Sequence, residues 1–296
     1  MKYTFKQFQA QFPDDAACLL ALMNIQHGGT KITCPGCGVA EAQFHAMNTR
    51  KAFACQECGH HIYPCAGTIF HKSSTKLTNW FFAMYLMTST RHGVAAKELE
   101  RQIGCTYKTA WRMAHELRKL MANADTHGAG PLSGHVEIDE TLMGGRNTGR
   151  GRENAMENKT TLLGMLQRDG RVVAGPIPNR RQHVLERAVV RNVAKGAVVS
   201  TDEWPGYVNL GPMGYPHGTV NHSKDEWVDG IHHTNGIEGH WSQLKRSIKG
   251  THIHVSQKHL WKYVSEFSYR RNNRHCHRSM FDRLMVSLSL PRLEDA

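Results

Sequence analysis

Two pairs of cysteines constrain this chain more than any other feature: CPGC at Cys34–Cys37 and CQEC at Cys55–Cys58, with seventeen residues between the pairs. Four thiolates presented by two tight turns suit a tetrahedral zinc ion, and the glycines in CPGCG and CQECGH let backbone amides turn towards sulfur. The spacing predicts a zinc ribbon over residues 31–70, with Cys34, Cys37, Cys55 and Cys58 holding a structural Zn2+. His60 and His61 stand beside a complete ligand set and are expected to be bystanders. The remaining cysteines are scattered, which excludes a disulfide framework; Cys18, Cys65 and Cys105 read as small buried hydrophobes.

A ribbon of that size leaves most of the 296 residues to other units, and the length predicts about two domains with a small satellite. Residues 1–30 form a helical lead-in, interrupted at Pro13, where Asp14 and Asp15 are placed to start a second helix. Residues 71–125 are helical. KLTNWFFAMYLMTSTRHG reads as an amphipathic helix ending at Gly93, and AAKELERQ, IGCT and YKTAWRMAHELRKLM then follow as helix, turn and helix. This is the layout of a helix-turn-helix, with Tyr107, Lys108, Thr109 and Arg112 near the start of the second helix, where side chains reach base edges. A plain helical hairpin has the same pattern. The charge tips the reading towards DNA: 37 Lys and Arg against 25 Asp and Glu give a net charge of +12, which calls for a polyanionic partner. The longest apolar run, WFFAMYLM, is too short to span a bilayer and no signal peptide is evident, so a soluble intracellular protein is expected.

The Gly- and Pro-containing stretch from Asn123 to Gly134 marks a boundary, after which the pattern changes to strands. HVEIDETLMGG alternates Val136 and Ile138 with Glu137, Asp139 and Thr141, giving a strand with one apolar face and Asp139 on the other. An acid in mid-strand is unfavourable enough to draw notice, although Glu137 and Glu140 remain open as alternatives. A Gly- and Arg-rich loop follows, expected to be mobile without a partner. TTLLGMLQRDGRVVAGPIP is a hairpin turning at Asp169 and Gly170, QHVLERAVVRNVA a helix, and Ala197–Thr201 a strand that delivers Asp202 ahead of a Trp-Pro-Gly turn. A short strand near GTVNH and a helix carrying Glu238 complete the order. Asp202 has a simpler explanation as a turn initiator, and Glu238 as the far half of a capping box begun by Asn235. The order of elements is nonetheless that of an RNase H-like α/β fold over residues 131–275, in which acids from two adjacent strands and a later helix meet at one edge of the sheet. Three such carboxylates can hold two Mg2+ or Mn2+ ions about 3.5–4 Å apart for phosphoryl transfer without a protein nucleophile.

Taken together, CPGC and CQEC, YKTAWRMAHELR, HVEIDETLMGG, STDEWPGY and the long HTNGIEGHWSQLKRSIKGTHIHVSQKHLWKYVSEFSYRRNNR resemble bacterial insertion-sequence DDE transposases with an N-terminal zinc ribbon, from about Asp14 to about Arg274. The resemblance implies that Asp139, Asp202 and Glu238 are the catalytic acids, with Asn235 a possible sharer of the third role. It also implies that Lys245, two helical turns beyond Glu238, contacts DNA phosphate, with Arg246 beside it. The enzyme would bind the terminal repeats of its element as a dimer or higher oligomer, then cleave and join strands. A nuclease of the same fold and a non-catalytic DNA-binding regulator are the alternatives; a zinc hydrolase would need an open zinc position. Between Gly239 and Leu284 ten Lys or Arg face Glu266 and Asp282, interleaved with Trp241, Trp261, Tyr263, Phe267 and Tyr269. These aromatics either stud a basic surface or pack on the sheet, and His232, His233, His252, His254 and His259 are expected to make polar contacts. Residues 276–296 are set apart as a tail.

Overall fold

The computed structural model describes residues 3–144, 159–221, 228–275 and 277–291, and the Gly- and Arg-rich loop falls within 145–158, outside them. The chain forms two compact units, Met1–Ala124 with Asn273–Ala296, and Asp125–Asn272.

In the first unit, α1 (Phe5–Gln11) opens with a reciprocal capping box between Thr4 and Gln7, and α2 (Asp15–His27) is capped by Asp14, whose Oδ1 accepts from Ala17 N–H at 2.8 Å. Four short antiparallel strands, β1 (Lys31–Ile32), β2 (Ala42–Ala46), β3 (Phe53–Cys55) and β4 (His61–Ile62), pair in chain order. Next come α3 (Leu77–Ser89), α4 (Ala96–Ile103) and α5 (Tyr107–Thr126). The amphipathic reading of α3 fails. Leu77, Trp80, Phe81, Ala83, Met84, Tyr85, Met87 and Thr88 are all buried, because α2, α4 and the last α-helix among the described residues, His277–Val286, pack around it. That last helix lies in the segment set apart as a tail, and its Phe281 ring sits 5.3 Å from Tyr3 and 5.8 Å from Phe12.

The second unit is built on a five-stranded sheet in the order β7-β6-β5-β8-β9, from β5 (His135–Met143), β6 (Thr160–Gln167), β7 (Val172–Ile177), β8 (Val198–Asp202) and β9 (His217–Val220). The β5-β6-β7 meander is antiparallel, its second turn closing at Asp169 and Gly170 as expected, whereas β5, β8 and β9 run parallel. Parallel neighbours need a crossover, and α6 (Gln182–Asn192) supplies it between β7 and β8. One face of the sheet presents Val136, Ile138, Leu163, Met165 and Val199 to Leu185 and Val189 of α6. The other presents Leu162, Leu166 and Val172 to α7 (Asn235–Ser247) and α8 (Gln257–Asn272), through Ile237, Trp241, Leu244, Leu260 and Val264.

The aromatics of the basic C-terminal stretch therefore belong mostly to packing. Trp241 and Tyr269 are buried, and Tyr263 and Phe267 lie against the same core. Lys262 and Arg270 are buried as well, so not every cation of that stretch faces outward.

α7 approaches the sheet closely over one residue. Gly164 on β6 pairs with Asp139 on β5, and a Cβ there would lie 2.4 Å from Trp241 Cζ2 and 2.7 Å from Ile237 Cδ1. Replacing Gly164 with Ala is expected to cost about 1–3 kcal/mol through overpacking, read as a lowered midpoint in urea with the m-value unchanged.

Candidate functional site

Glu137 pairs with Ser200 in the parallel β5-β8 register, so the residues two further along each strand, Asp139 and Asp202, stand side by side on the same face. Carboxylate oxygens of Asp139, Asp202 and Glu140 all lie within 4.8 Å of one another. Asp139 is half-buried, not an exposed strand residue. Asp202 does serve its turn, accepting from Trp204 N–H at 3.1 Å, and that bond also orients its carboxylate. Glu238 comes from α7. It is not within the tight set, yet its charge reaches Asp139, and its Oε1 accepts from the Thr234 hydroxyl at 2.6 Å. The N-cap position is Thr234 and Asn235 is the first helical residue, so the capping box from Asn235 to Glu238 does not form.

The three acids of EIDE thus have three different surroundings. Glu137 is 1 % exposed; its Oε2 accepts from Gly236 N–H at 2.8 Å and Ile237 N–H at 3.1 Å, and its Oε1 from Arg168 Nε at 2.8 Å. Asp139 faces Asp202. Glu140 points to the opposite face of β5 and accepts a hydrogen bond from the buried Tyr207 hydroxyl.

Crowding shows in the proton affinities. Burial, then the charges of Glu140, Asp202 and Glu238, push the Asp139 carboxyl up to about 7. Burial also pushes Glu140 up to about 7, with Asp202 adding to the effect and the Tyr207 bond opposing it. Burial and Glu140 keep the Tyr207 hydroxyl protonated well above its usual range. Hard oxygen donors at this spacing match the donor set for Mg2+ or Mn2+, which would offset their repulsion.

Around the cluster lie residues that sequence reasoning did not single out. The Arg180 guanidinium sits 4.3 Å from the Trp204 ring centroid, and Trp204 Nε1 donates to the Arg180 carbonyl at 3.2 Å. Together they line an open groove beside Asp202. The exposed Trp after Asp202 was the one visible signal; nothing marked Arg180. Along α7, Lys245 is exposed and lines a cleft of about 690 Å³ with Lys249, His254 and the apolar Met143, Val255 and Leu260, while Arg246 is exposed beside it. His232 Nδ1 lies 2.9 Å from Ser200 Oγ, one of the polar contacts expected of these histidines.

The cysteine site has the geometry its spacing implies. All four sulfurs lie within 4.8 Å of one another, with Cys34 Sγ and Cys58 Sγ 3.7 Å apart, close to the edge of about 3.8 Å for a tetrahedron with Zn–S bonds of about 2.3 Å. Gly36 N–H points to Cys34 Sγ at 3.4 Å. His60 packs on Gly36, and neither His60 nor His61 belongs to the ligand set. Cys18 and Cys65 are buried as expected; Cys105 is only half-buried.

In the first unit, Gly104 ends α4 with φ +71°, and the Thr106 hydroxyl accepts from Thr109 N–H at the start of α5. Tyr107 and Lys108 are exposed and Thr109 half-buried. Arg112 is engaged within the unit, 5.3 Å from the Trp80 ring centroid and 3.4 Å from Ser73 Oγ. No helix among the described residues is long and apolar enough to cross a membrane.

The Asp139 carboxyl titrates near 3.8 when unperturbed and about 7 in the fold, so between these values the folded state binds more protons than the unfolded one, and stability falls as pH rises through the window. In magnesium-free buffer the wild type should lose on the order of 2 kcal/mol relative to Asp139→Asn across this range, and added Mg2+ should reverse the loss. Thermal melts of both proteins check this. The comparison is needed because burial pushes His240 down to about 3, which works in the opposite sense: its contribution to stability is lost as pH falls below about 6.5.

Comparison with known proteins matches the two regions that hold these residues. Residues 131–272 match the ISXO2-like transposase domain, and residues 13–61 match the transposase zinc-ribbon domain. A relative from Halobacterium salinarum, described as an uncharacterized protein in transposable element ISH50, is 25% identical over 273 residues, covering 86% of this chain and 90% of that protein. With both domains matched in order and the cysteine and carboxylate sets assembled within them, the chain belongs to the family of insertion-sequence DDE transposases that carry an N-terminal zinc ribbon.

Proposed function

We propose that this protein cleaves and joins DNA at the ends of its own insertion sequence, using Asp139, Asp202 and Glu238 as ligands for Mg2+ or Mn2+. The observation that carries this reading is the juxtaposition of Asp139, midway along β5, with Asp202 at the end of the parallel β8, with Glu238 brought to the same face by α7. When bound there, a divalent ion would supply Lewis-acid polarisation of the phosphate and a lowered pKa for the attacking oxygen. The carboxylates fix where the reacting phosphate sits. Lys245 and Lys249, exposed beside the cleft next along α7, neutralise the strand leading into it, and the Arg180–Trp204 pair offers a cationic, stacking surface on the Asp202 side. No protein side chain need become covalently attached.

The sheet order and the three-layer packing of the second unit support an RNase H-like catalytic domain, for which we keep the boundaries 131–275. The α4-turn-α5 geometry, with Tyr107 and Lys108 exposed at the start of α5, supports a helix-turn-helix that reads the terminal repeats alongside the zinc ribbon. Bringing two ends together requires at least a dimer on DNA, in the cytoplasm where the element resides. Clustered acids weigh against a purely DNA-binding regulator.

Two experiments test the proposal. With Mg2+, a DNA fragment carrying the element end and a target plasmid, the wild type should produce joined molecules. Asp139→Asn, Asp202→Asn and Glu238→Gln should each bind the end yet lose joining by about a hundredfold or more. Glu140→Gln, which keeps the partner of Tyr207, should lose much less; the reverse ranking of Glu238 and Glu140 would reassign the third ligand. In equilibrium binding, Lys108→Ala should weaken binding to end DNA without altering the melting temperature, whereas Arg112→Ala should also lower that temperature because it removes the Trp80 and Ser73 contacts. Unchanged discrimination between end and random DNA in both variants would remove the helix-turn-helix assignment.

A further inference from the structure

Buried beneath the start of α7, Glu137 is a heavily engaged carboxylate outside the cluster. It lies two residues before Asp139 on the same face of β5, and its Oε2 accepts the N–H groups of Gly236 and Ile237, the two residues immediately before Glu238. These are first-turn donors that the helix cannot satisfy itself. The residue placed to cap them, Thr234, makes no side-chain cap bond, and its hydroxyl donates to Glu238 instead. A carboxylate from the sheet therefore does the capping, and the local cap side chain is left to orient the third acid. The negative charge also suits the positive end of the helix dipole.

The clamp is closed on its other side. Arg168, in the β6-β7 turn, donates from Nε to Glu137 Oε1, from Nη1 to the Ile231 carbonyl at 2.7 Å and from Nη2 to the His233 carbonyl at 3.2 Å, so the segment leading into α7 is tied to the same carboxylate. His233 Nδ1 stands 3.2 Å from Oε1 without hydrogen-bond alignment. The fit leaves little slack: a Cβ on Gly236 would sit 2.7 Å from Glu137 Oε2 and 2.7 Å from Leu166 Cδ2. Enclosing a charge this completely is expensive, and a simple helix cap would not require it.

We infer that Glu137 is a positioning residue which, by capping α7 from β5, sets the placement of Glu238 relative to Asp139 and with it the affinity of the site for divalent metal. The inference rests on the proposed reading of Asp139, Asp202 and Glu238 as the metal ligands. Glu137 touches no metal and no DNA in this role; it acts through the helix.

The test uses the full chain with its zinc retained, and Mn2+ as the probe. Mn2+ binding is followed by electron paramagnetic resonance, folding by circular dichroism, and cleavage of end DNA as a function of Mg2+ concentration. Glu137→Gln should keep the folded spectrum while weakening Mn2+ binding by about ten- to a hundredfold, as loss of a group supporting a ligand does, and should raise the Mg2+ concentration for half-maximal cleavage in parallel. High Mg2+ should recover much of the lost rate. A folded Glu137→Gln protein with wild-type Mn2+ affinity overturns the inference. Should that variant not fold, Gly236→Ala, which keeps Glu137 but pushes on its carboxylate, carries the same expectation, and unaltered Mn2+ affinity there overturns it equally. Asp139→Asn separates the two levels: if it binds Mn2+ as the wild type does, the metal-site reading itself fails, whatever Glu137→Gln does.

Discussion

The second unit depends on one buried charge. Glu137 would be costly to enclose alone, and it is tolerable because two backbone N–H groups and a guanidinium satisfy it at once. Those partners come from α7 and from the β6-β7 turn, so the helix can dock on the sheet in only one place. Removing the carboxylate would leave first-turn donors and Arg168 without it. Docking and solvation are therefore the same event, and Asp139 and Glu238 take up their positions as a result.

A related device operates in the first unit. Lys76, at the N-cap position of α3, makes no side-chain cap bond, and Asp15 of α2 accepts the Thr78 N–H and hydroxyl instead, each at 2.9 Å. Burial alone would raise the Asp15 carboxyl, but these bonds hold it below its usual value. In both units an acid on one element closes the helix start of another. Each such cap converts a local requirement of the helix into a tertiary contact, which favours a single packing over near alternatives. The cost is a set of tight glycines, Gly164 and Gly236, where any side chain would force the helix away from the sheet.

The carboxylate cluster has the opposite character. Asp139, Asp202 and Glu140 are close and half-buried, and burial together with the neighbouring charges raises the affinity of Asp139 and Glu140 for protons. An arrangement that weakens the fold near neutral pH is what a site for a divalent cation requires. Around it the polar groups are held by uncharged or internally paired partners: Tyr207 for Glu140, Thr234 for Glu238, the Trp204 backbone for Asp202. The exposed cations Lys245 and Lys249 line a separate cleft, where they can meet phosphate, while the half-buried Arg180 partly offsets the charge of Glu140.

Local pattern made much of this legible. The cysteine spacing specified the ribbon, because two CxxC turns leave little freedom in how four sulfurs meet. Alternation marked β5, and the order of strands and helices pointed to acids from two strands and a later helix meeting at one sheet edge, while the choice of Asp139, Asp202 and Glu238 came from the family resemblance. Other features depended on partners distant in sequence. Burial of eight of its thirteen residues, with none exposed, made α3 a core helix, although its sequence reads as amphipathic. The aromatics between Trp241 and Tyr269 read equally as DNA-facing or core residues until α7 and α8 were seen lying on the sheet. EIDE shows the division most clearly: its three acids are equivalent in a string of letters, and their roles separate only when α7 covers one face of β5 and Tyr207 the other. The sequence by itself determined which residue types were available and which elements carried them. Only the tertiary structure decided which carboxylate is enclosed as a helix cap and which is left to crowd its neighbours, because that choice depends on donors nearly a hundred residues away.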